Sequence, residues 1–410
     1  MKLDILTRNV TITFSRFMSI TLLFANTLAW FYLFNAYILN EMLLKDFDLF
    51  YSILGNVVFY GSIVLFGIIG SLISERINRR KLLAYWITFG FLTTILLMFF
   101  EGPEFAMVAS VLLGISFGFG FPTCQAFLTE FTTIEERGRV AGWIVFITFF
   151  TVIFLLIFIE ALQLSLIEVV LICAVLKGST IFALLIEKSN IMKDRLTSWT
   201  AIIHERSFAT YAIPWFIFHI ANGIAVFGVV PPELAGLADY VVLFSFVGTL
   251  ITALVAGLLV DRIGRKQPML GGLLMLGITY ALFALVTNDL TYIVVSLVEG
   301  IAWGLIAVSY MIVVLSDLSS KFENKERYYA LGGILIPLLT YTIFSAIQRI
   351  SQITYNLGSL SAVLCIIIFI AVLPLLRAPE TLPEKTISKR RLKEHMEELG
   401  KVISETDDKE

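Results

Sequence analysis

The chain has 410 residues, of which 15% are charged and 58% hydrophobic, with a net charge of −2 and a mean hydropathy of +0.89. A soluble domain usually carries about 25% charged and about 45–50% apolar residues, and burying this much apolar surface in water would leave large exposed patches. These figures all but exclude a soluble enzyme and a disordered chain, and the three cysteines all but exclude a disulfide scaffold, which leaves an integral membrane protein.

Apolar runs long enough to cross a bilayer, about 20 residues each, fall near 18–39, 50–73, 82–100, 105–128, 140–160, 164–186, 209–230, 239–260, 268–286, 291–315, 328–350 and 357–376. They predict twelve transmembrane helices in an all-α protein rather than a barrel of alternating strands. Cys124, Cys173 and Cys365 lie inside these runs and read as small packing residues. The first run is too long for the core of a cleavable signal. With the N-terminus inside, 27 of the 30 Lys and Arg residues fall on one side, in the N-terminal segment, five alternate loops and the tail. The opposite side collects acids, among them Glu41, Asp46, Asp48, Glu101, Glu104, Glu233, Asp239 and Asp289. That asymmetry predicts both termini to be cytoplasmic, in a cell membrane. The segment 188–208 holds Trp199, Ile202 and Ile203 among charges and is expected to form an interfacial helix between two halves. In the tail, Leu392, Met396, Leu399 and Ile403 share one helical face, which fits either a short surface helix or a solvated tail.

The halves repeat. Gly114 and Gly118 match Gly300 and Gly304; Leu128-Thr129-Glu130-Phe131 matches Leu315-Ser316-Asp317-Leu318; Glu136-Arg137 and Gly142 match Glu326-Arg327 and Gly332; and Ser71–Arg80 matches Gly257–Lys266. Four matches in one order at a nearly constant offset indicate a duplicated six-helix unit, and an even number of spans makes the copies parallel. The expected organisation is a first bundle over 1–187, a central loop over 188–208, a second bundle over 209–376 and a charged tail over 377–410.

On these residues the chain resembles the major facilitator superfamily. The family's loop signature, G-x-x-x-D-R-x-G-R-K/R, is complete in the second copy as Gly257, Asp261, Arg262, Gly264, Arg265 and Lys266. The first copy departs at Ser71, Glu75 and Asn78, and Asn78 is read as a replacement that tolerates a left-handed turn. Arg137-Gly138 and Pro379-Glu380-Thr381 also match the family's habits. A carboxylate at a helix end beside a basic turn can pair with a neighbouring helix end. The expected cytoplasmic gate is therefore Glu75, Arg76, Arg79, Arg80, Glu130, Arg137, Asp261, Arg262, Arg265, Lys266, Asp317 and Arg327, against the alternative that these charges only set topology.

Inside the membrane, three helices carry polar or aromatic residues at the spacing of one face. These are Asn26, Trp30 and Tyr37 on the first, Trp215, His219 and Asn222 on the seventh, and Glu299, Trp303 and Tyr310 on the tenth. The resemblance implies that helices one, four, seven and ten line a central cavity, with Phe117 and Gly120 as a softer wall on the fourth. These stripes are the expected substrate cavity, and the alternative is that they pack helices together. Glu299 is a carboxyl deep in an apolar span, where it must be protonated, paired or wetted; it is the expected proton-coupling residue, with a structural carboxyl as the alternative. Lys177 is expected to snorkel or pair. By resemblance, Ser110 stands where an Arg is common and the fifth helix lacks a Gly-Pro signature of drug antiporters.

The implied function is a secondary transporter of a small organic solute, working by alternating access with proton-coupled uptake. The alternatives are an exporter of drugs or metabolites and a non-transporting sensor that keeps the fold. No His-Glu-x-x-His pair, Gly-x-Ser-x-Gly turn or phosphate-binding glycine loop points to an enzyme. No cofactor, metal or nucleic acid is expected; the partners are a small-molecule substrate, protons and the bilayer, and the protein is expected to be a monomer.

Overall fold

In hydrocarbon a backbone has no water to bond, so each apolar run must close its hydrogen bonds within itself as a helix. The computed structural model describes residues 12–43, 49–99, 102–186, 198–227, 238–285, 288–322, 324–351 and 357–383, with Ser388 and Met396 as single positions. Twelve helical stretches within them match the twelve runs. The first half holds α1 (Phe14–Leu33, continued by a π-helical stretch Phe34–Leu43), α2 (Leu49–Ile73), α3 (Arg79–Leu96), α4 (Pro103–Gly118 and Phe121–Phe131), α5 (Arg137–Leu162) and α6 (Leu166–Ser179 and Ile181–Ile186). The second holds α7 (Arg206–Phe227), α8 (Ala238–Ile263), α9 (Lys266–Leu285), α10 (Asp289–Ile306, π-helical Ala307–Val314, then Leu315–Ser319), α11 (Lys325–Tyr329, π-helical Ala330–Leu335, then Ile336–Ser351) and α12 (Leu357–Leu376). Ten of the described helices are long and apolar enough to cross a membrane. The other two, α3 and α9, each open on a basic turn.

Four helices, α3, α5, α7 and α11, begin three residues before their apolar runs, at Arg79, Arg137, Arg206 and Lys325. The run marks the hydrocarbon, while the helix continues into the layer where cations find partners. The aromatic rings of Phe146, Phe150, Phe154 and Phe158 stack along α5, and the last three are exposed, as a lipid-facing stripe requires.

In the first half α1 packs on α5 and α6, α2 on α4, and α3 on α6. In the second α8 packs on α10, α9 on α10 and α12, and α7 on α11 and α12. The halves meet along α2–α11 and α5–α8. The second contact depends on glycine. A Cβ added to Gly142 would lie 2.7 Å from the Ala253 carbonyl oxygen, and one added to Gly257 would lie 2.5 Å from that of Gly138.

The two signature loops turn differently. Gly264 has φ +106°, a conformation L side chains rarely adopt. Asn78, expected to mimic it, has φ −56° and is not left-handed. Its side chain instead caps α3, accepting from the Arg80 N–H at 2.9 Å. Gly264→Ala is therefore expected to lower the melting temperature by the equivalent of about 1–2 kcal/mol of backbone strain, before crowding from the Glu380 carboxylate. Asn78→Gly should cost only a few tenths of a kcal/mol. Thermal unfolding of the two variants side by side checks the order.

Between the halves, a short helix Trp199–His204 is capped by Ser198, which accepts from the Ala201 N–H at 3.2 Å. Ile202 is buried, Ile203 is exposed, and the Arg327 guanidinium lies 5.3 Å from the centre of the Trp199 ring. Of the tail face, Met396 is exposed, while Leu392, Leu399 and Ile403 lie outside the described residues.

Candidate functional site

A cavity of about 420 Å³ opens between the halves, toward the end where the acids collect. Its described lining comes from α1, α5 and α7–α12, and none comes from α4. The walls are aromatic, notably Tyr32, Phe149, Phe246, Trp303 and Tyr341. Among the described lining residues Glu299 is the single acid and there is no Lys, Arg or His. Ten residues beyond the start of α10 at Asp289, or about 15 Å along the axis, its carboxylate has no hydrogen-bond or ion-pair partner among the described residues. Tyr280 and Tyr292 lie within electrostatic reach of it.

Of the side chains expected in the cavity, the structure places Asn222, Trp303 and Glu299 on its wall. The others turn elsewhere. Asn26 donates to Ser179 Oγ at 2.9 Å, and Trp30 Nε1 donates to Thr94 Oγ1 at 3.2 Å, so the polar stripe of α1 faces the interior of its own bundle. Tyr37 packs against the same core. The cavity instead receives Leu28 and Tyr32, two residues on from Asn26 and Trp30 and so about 200° around the helix. Phe117, expected as a wall, stacks on Phe31 and Phe121 at 4.2 and 4.5 Å. Trp215 Nε1 donates to the Gly332 carbonyl at 2.8 Å, and its ring stacks on Tyr310 at 4.2 Å. Tyr310 lies beyond the point where α10 becomes π-helical, and i→i+5 bonding widens the turn, so the α-helical spacing from Glu299 and Trp303 no longer holds there. His219 is buried one layer behind the cavity, edge-on to Trp215 at 4.2 Å, and neither ring nitrogen has a hydrogen-bond partner among the described residues. The aromatic walls Tyr32, Phe246 and Tyr341 went unread in the sequence because single aromatics carry no stripe.

Lys177 neither snorkels nor pairs. It is fully buried, with Nζ 3.5 Å from the centre of the Trp86 ring and 5.0 Å from that of Trp30, and no hydrogen-bond partner among the described residues. The position of Nζ over the rings is that of a cation–π contact. Glu160 and Glu168 are exposed, the latter in a capping box with Ser165.

At the basic end the duplicated loops make duplicated contacts. Within each half a loop arginine pairs with the acid near the end of that half's fourth helix: Arg79 with Glu130, and Arg265 Nε with Asp317 Oδ2 at 2.9 Å. Each acid also takes a cation from the other half. Arg137 Nη1 lies 2.5 Å from Asp317 Oδ1, and Lys325 Nζ lies 3.8 Å from Glu130 Oε1. Arg79 forks onto Glu326 at 2.6 and 3.0 Å. The acids ending α2 and α8 also cross: Glu75 pairs with Arg327 at 2.5 Å, and Asp261 meets the start of α5. There it accepts from the Gly138 and Arg139 N–H groups at 2.9 and 3.0 Å and from Arg139 Nε at 3.1 Å. A helix N-terminus is its positive end, which suits a carboxylate. Burial works against the charge on Arg265, but Asp317 and Asp261 more than offset it and hold its pKa above the usual guanidinium value.

The expected gate thus gathers Glu75, Arg79, Glu130, Arg137, Asp261, Arg265, Asp317 and Arg327. Lys266 lies at its margin, with Nζ donating to the Leu376 carbonyl at 2.7 Å. Arg76, Arg80 and Arg262 make no ion pair among the described residues; Arg76 and Arg262 are exposed. Sequence reasoning passed over Arg139, Lys325, Glu326 and Glu380 as partners. Glu326 stood in the repeated Glu-Arg pair, which was the available signal. Glu380 caps α9, accepting from the Arg265 and Lys266 N–H groups at 2.8 and 3.2 Å. Beside it Thr381 donates to Asp317 at 2.9 Å.

Two six-helix halves, tied at one end by buried ion pairs and enclosing a cavity toward the other, define a membrane transporter. Residues 19–319 and 201–405 match the family described as Major Facilitator Superfamily, and the chain belongs to that family. No curated protein matches it. Among solved structures it is similar to the major facilitator superfamily proton:xylose symporter XylE bound to 6-bromo-6-deoxy-D-glucose. The match has a TM-score of 0.64 and 16% identity, and it covers 90% of this chain and 96% of that one. At that identity the likeness is one of fold.

Proposed function

We propose that this transporter is a proton-coupled secondary carrier of a small organic solute. The solute binds in the cavity, Glu299 carries the proton, the basic end is cytoplasmic, and its ion pairs are the latch that releases when the bundles over 1–187 and 209–376 rock. The observation that carries this reading is the Glu299 carboxylate on an apolar wall with no partner among the described residues, which in such surroundings calls for a proton or another cation. The sequence favoured uptake by symport. A second reading, proton–solute exchange, gains from the same lack of a partner among the described residues, because one such carboxylate can hold either the proton or a cationic group of the solute.

The test is gradient-driven accumulation in proteoliposomes, with a solute found by thermal-shift screening. Glu299→Gln is expected to abolish accumulation under a pH gradient while solute counterflow persists at raised solute concentration. Accumulation that persists in the variant sinks the coupling role. Gradient polarity separates the two readings: an acidic exterior drives symport inward, and an acidic interior drives exchange inward.

A further inference from the structure

We infer that the solute is an organic cation with an aromatic or apolar body, held by its cationic group on Glu299. This rests on the cavity being the solute site and adds the chemical class that the site accepts.

Two observations carry it. The first is charge: the described lining holds one acid and no base, so an anion meets only repulsion and a cation meets a ready partner. The second is the wall. Tyr32, Phe149, Phe246, Trp303 and Tyr341 line it with aromatic rings, side chains that can attract a cation and cover an apolar body. The volume of about 420 Å³ suits a compact ligand.

Proton and solute then compete for one carboxylate, as the exchange reading requires. The titratable groups facing it are the phenols of Tyr32 on α1, Tyr280 on α9, Tyr292 on α10 and Tyr341 on α11, and the described lining from α5, α7, α8 and α12 contributes none. Cation binding should therefore tighten as pH rises and release a proton where Glu299 begins protonated.

The experiment uses the full chain in lipid nanodiscs and three probes of similar shape: benzyltrimethylammonium, its neutral isostere neopentylbenzene, and phenylacetate. Binding is read by tryptophan fluorescence and calorimetry at several pH values. The cation is expected to bind at least tenfold more tightly than the isostere at high pH. In Glu299→Gln it should lose at least that factor while the isostere is unchanged, which also shows that the variant is folded. Equal binding of cation and isostere, preference for phenylacetate, failure of all three to bind, or an unchanged cation affinity in Glu299→Gln would each overturn the assignment. Because no gradient is involved, loss of proton-driven accumulation with cation binding intact, or the reverse, separates a wrong coupling mechanism from a wrong solute class.

Discussion

Asp317→Asn is expected to open the basic end of the protein. Asp317 is almost fully buried and holds Arg137 from one half and Arg265 from its own. Both arginines are also buried, so neutralising the acid leaves Arg137 without a counter-ion among the described residues and Arg265 with Asp261 alone, at 3.3 Å. Breaking a buried ion pair by deleting one partner costs about 3–5 kcal/mol, and each 1.4 kcal/mol is about tenfold in an equilibrium. The balance between a closed and an open basic end should shift at least a hundredfold toward open. Spin labels at the exposed positions Arg76 and Lys321, one in each half, would report it as a longer distance population. An unchanged distribution would show that these ion pairs set topology and do not latch.

Gly142→Val should act at the same end through packing rather than charge. Its side chain would run into the Ala253 carbonyl at 2.7 Å and the Gly257 Cα at 3.2 Å, and backbone cannot rotate aside. Overpacking of this kind costs about 1–3 kcal/mol, and α5 can relieve it only by moving off α8. The expected result is a lower melting temperature together with a lengthened distance between the same two labels. Gly271→Ala is the control: a Cβ there meets nothing within 4 Å, and replacing a helical glycine by alanine should hold or raise stability by up to about 1 kcal/mol. If both variants melt alike, the close crossing of α5 and α8 is not required.

The helices were legible because runs of apolar residues and one-sided Lys and Arg are long-range signals that tolerate local error. The ion-pair network was legible for another reason: a duplicated motif such as Glu75/Asp261 states its chemistry twice. The cavity was harder. A polar stripe on a membrane helix means only that the face is not turned to lipid, and Asn26 and Trp30 show that a neighbouring helix satisfies it as well as a solute would. Tyr310 was misplaced because periodicity assumes one kind of turn. Lys177 fits neither rule for intramembrane cations, since its partners are ring faces on helices far apart in the chain.

The wide turn in α10 has a mechanical meaning. Glu299 lies on the α-helical part before Ala307–Val314, and Asp317 lies on the α-helical part after it. The two carboxylates therefore share one shaft whose middle section is wound differently from its ends. Rewinding that section to α-helical bonding would swivel the far end about the axis and advance it along the axis, because a wider turn rises less per residue. It would carry Asp317 around relative to Arg137 while Glu299 stayed in place. A carboxylate that changes occupant at one end of the shaft and a clasp at the other would then be linked by torsion within a single helix, beside whatever rocking the two bundles perform.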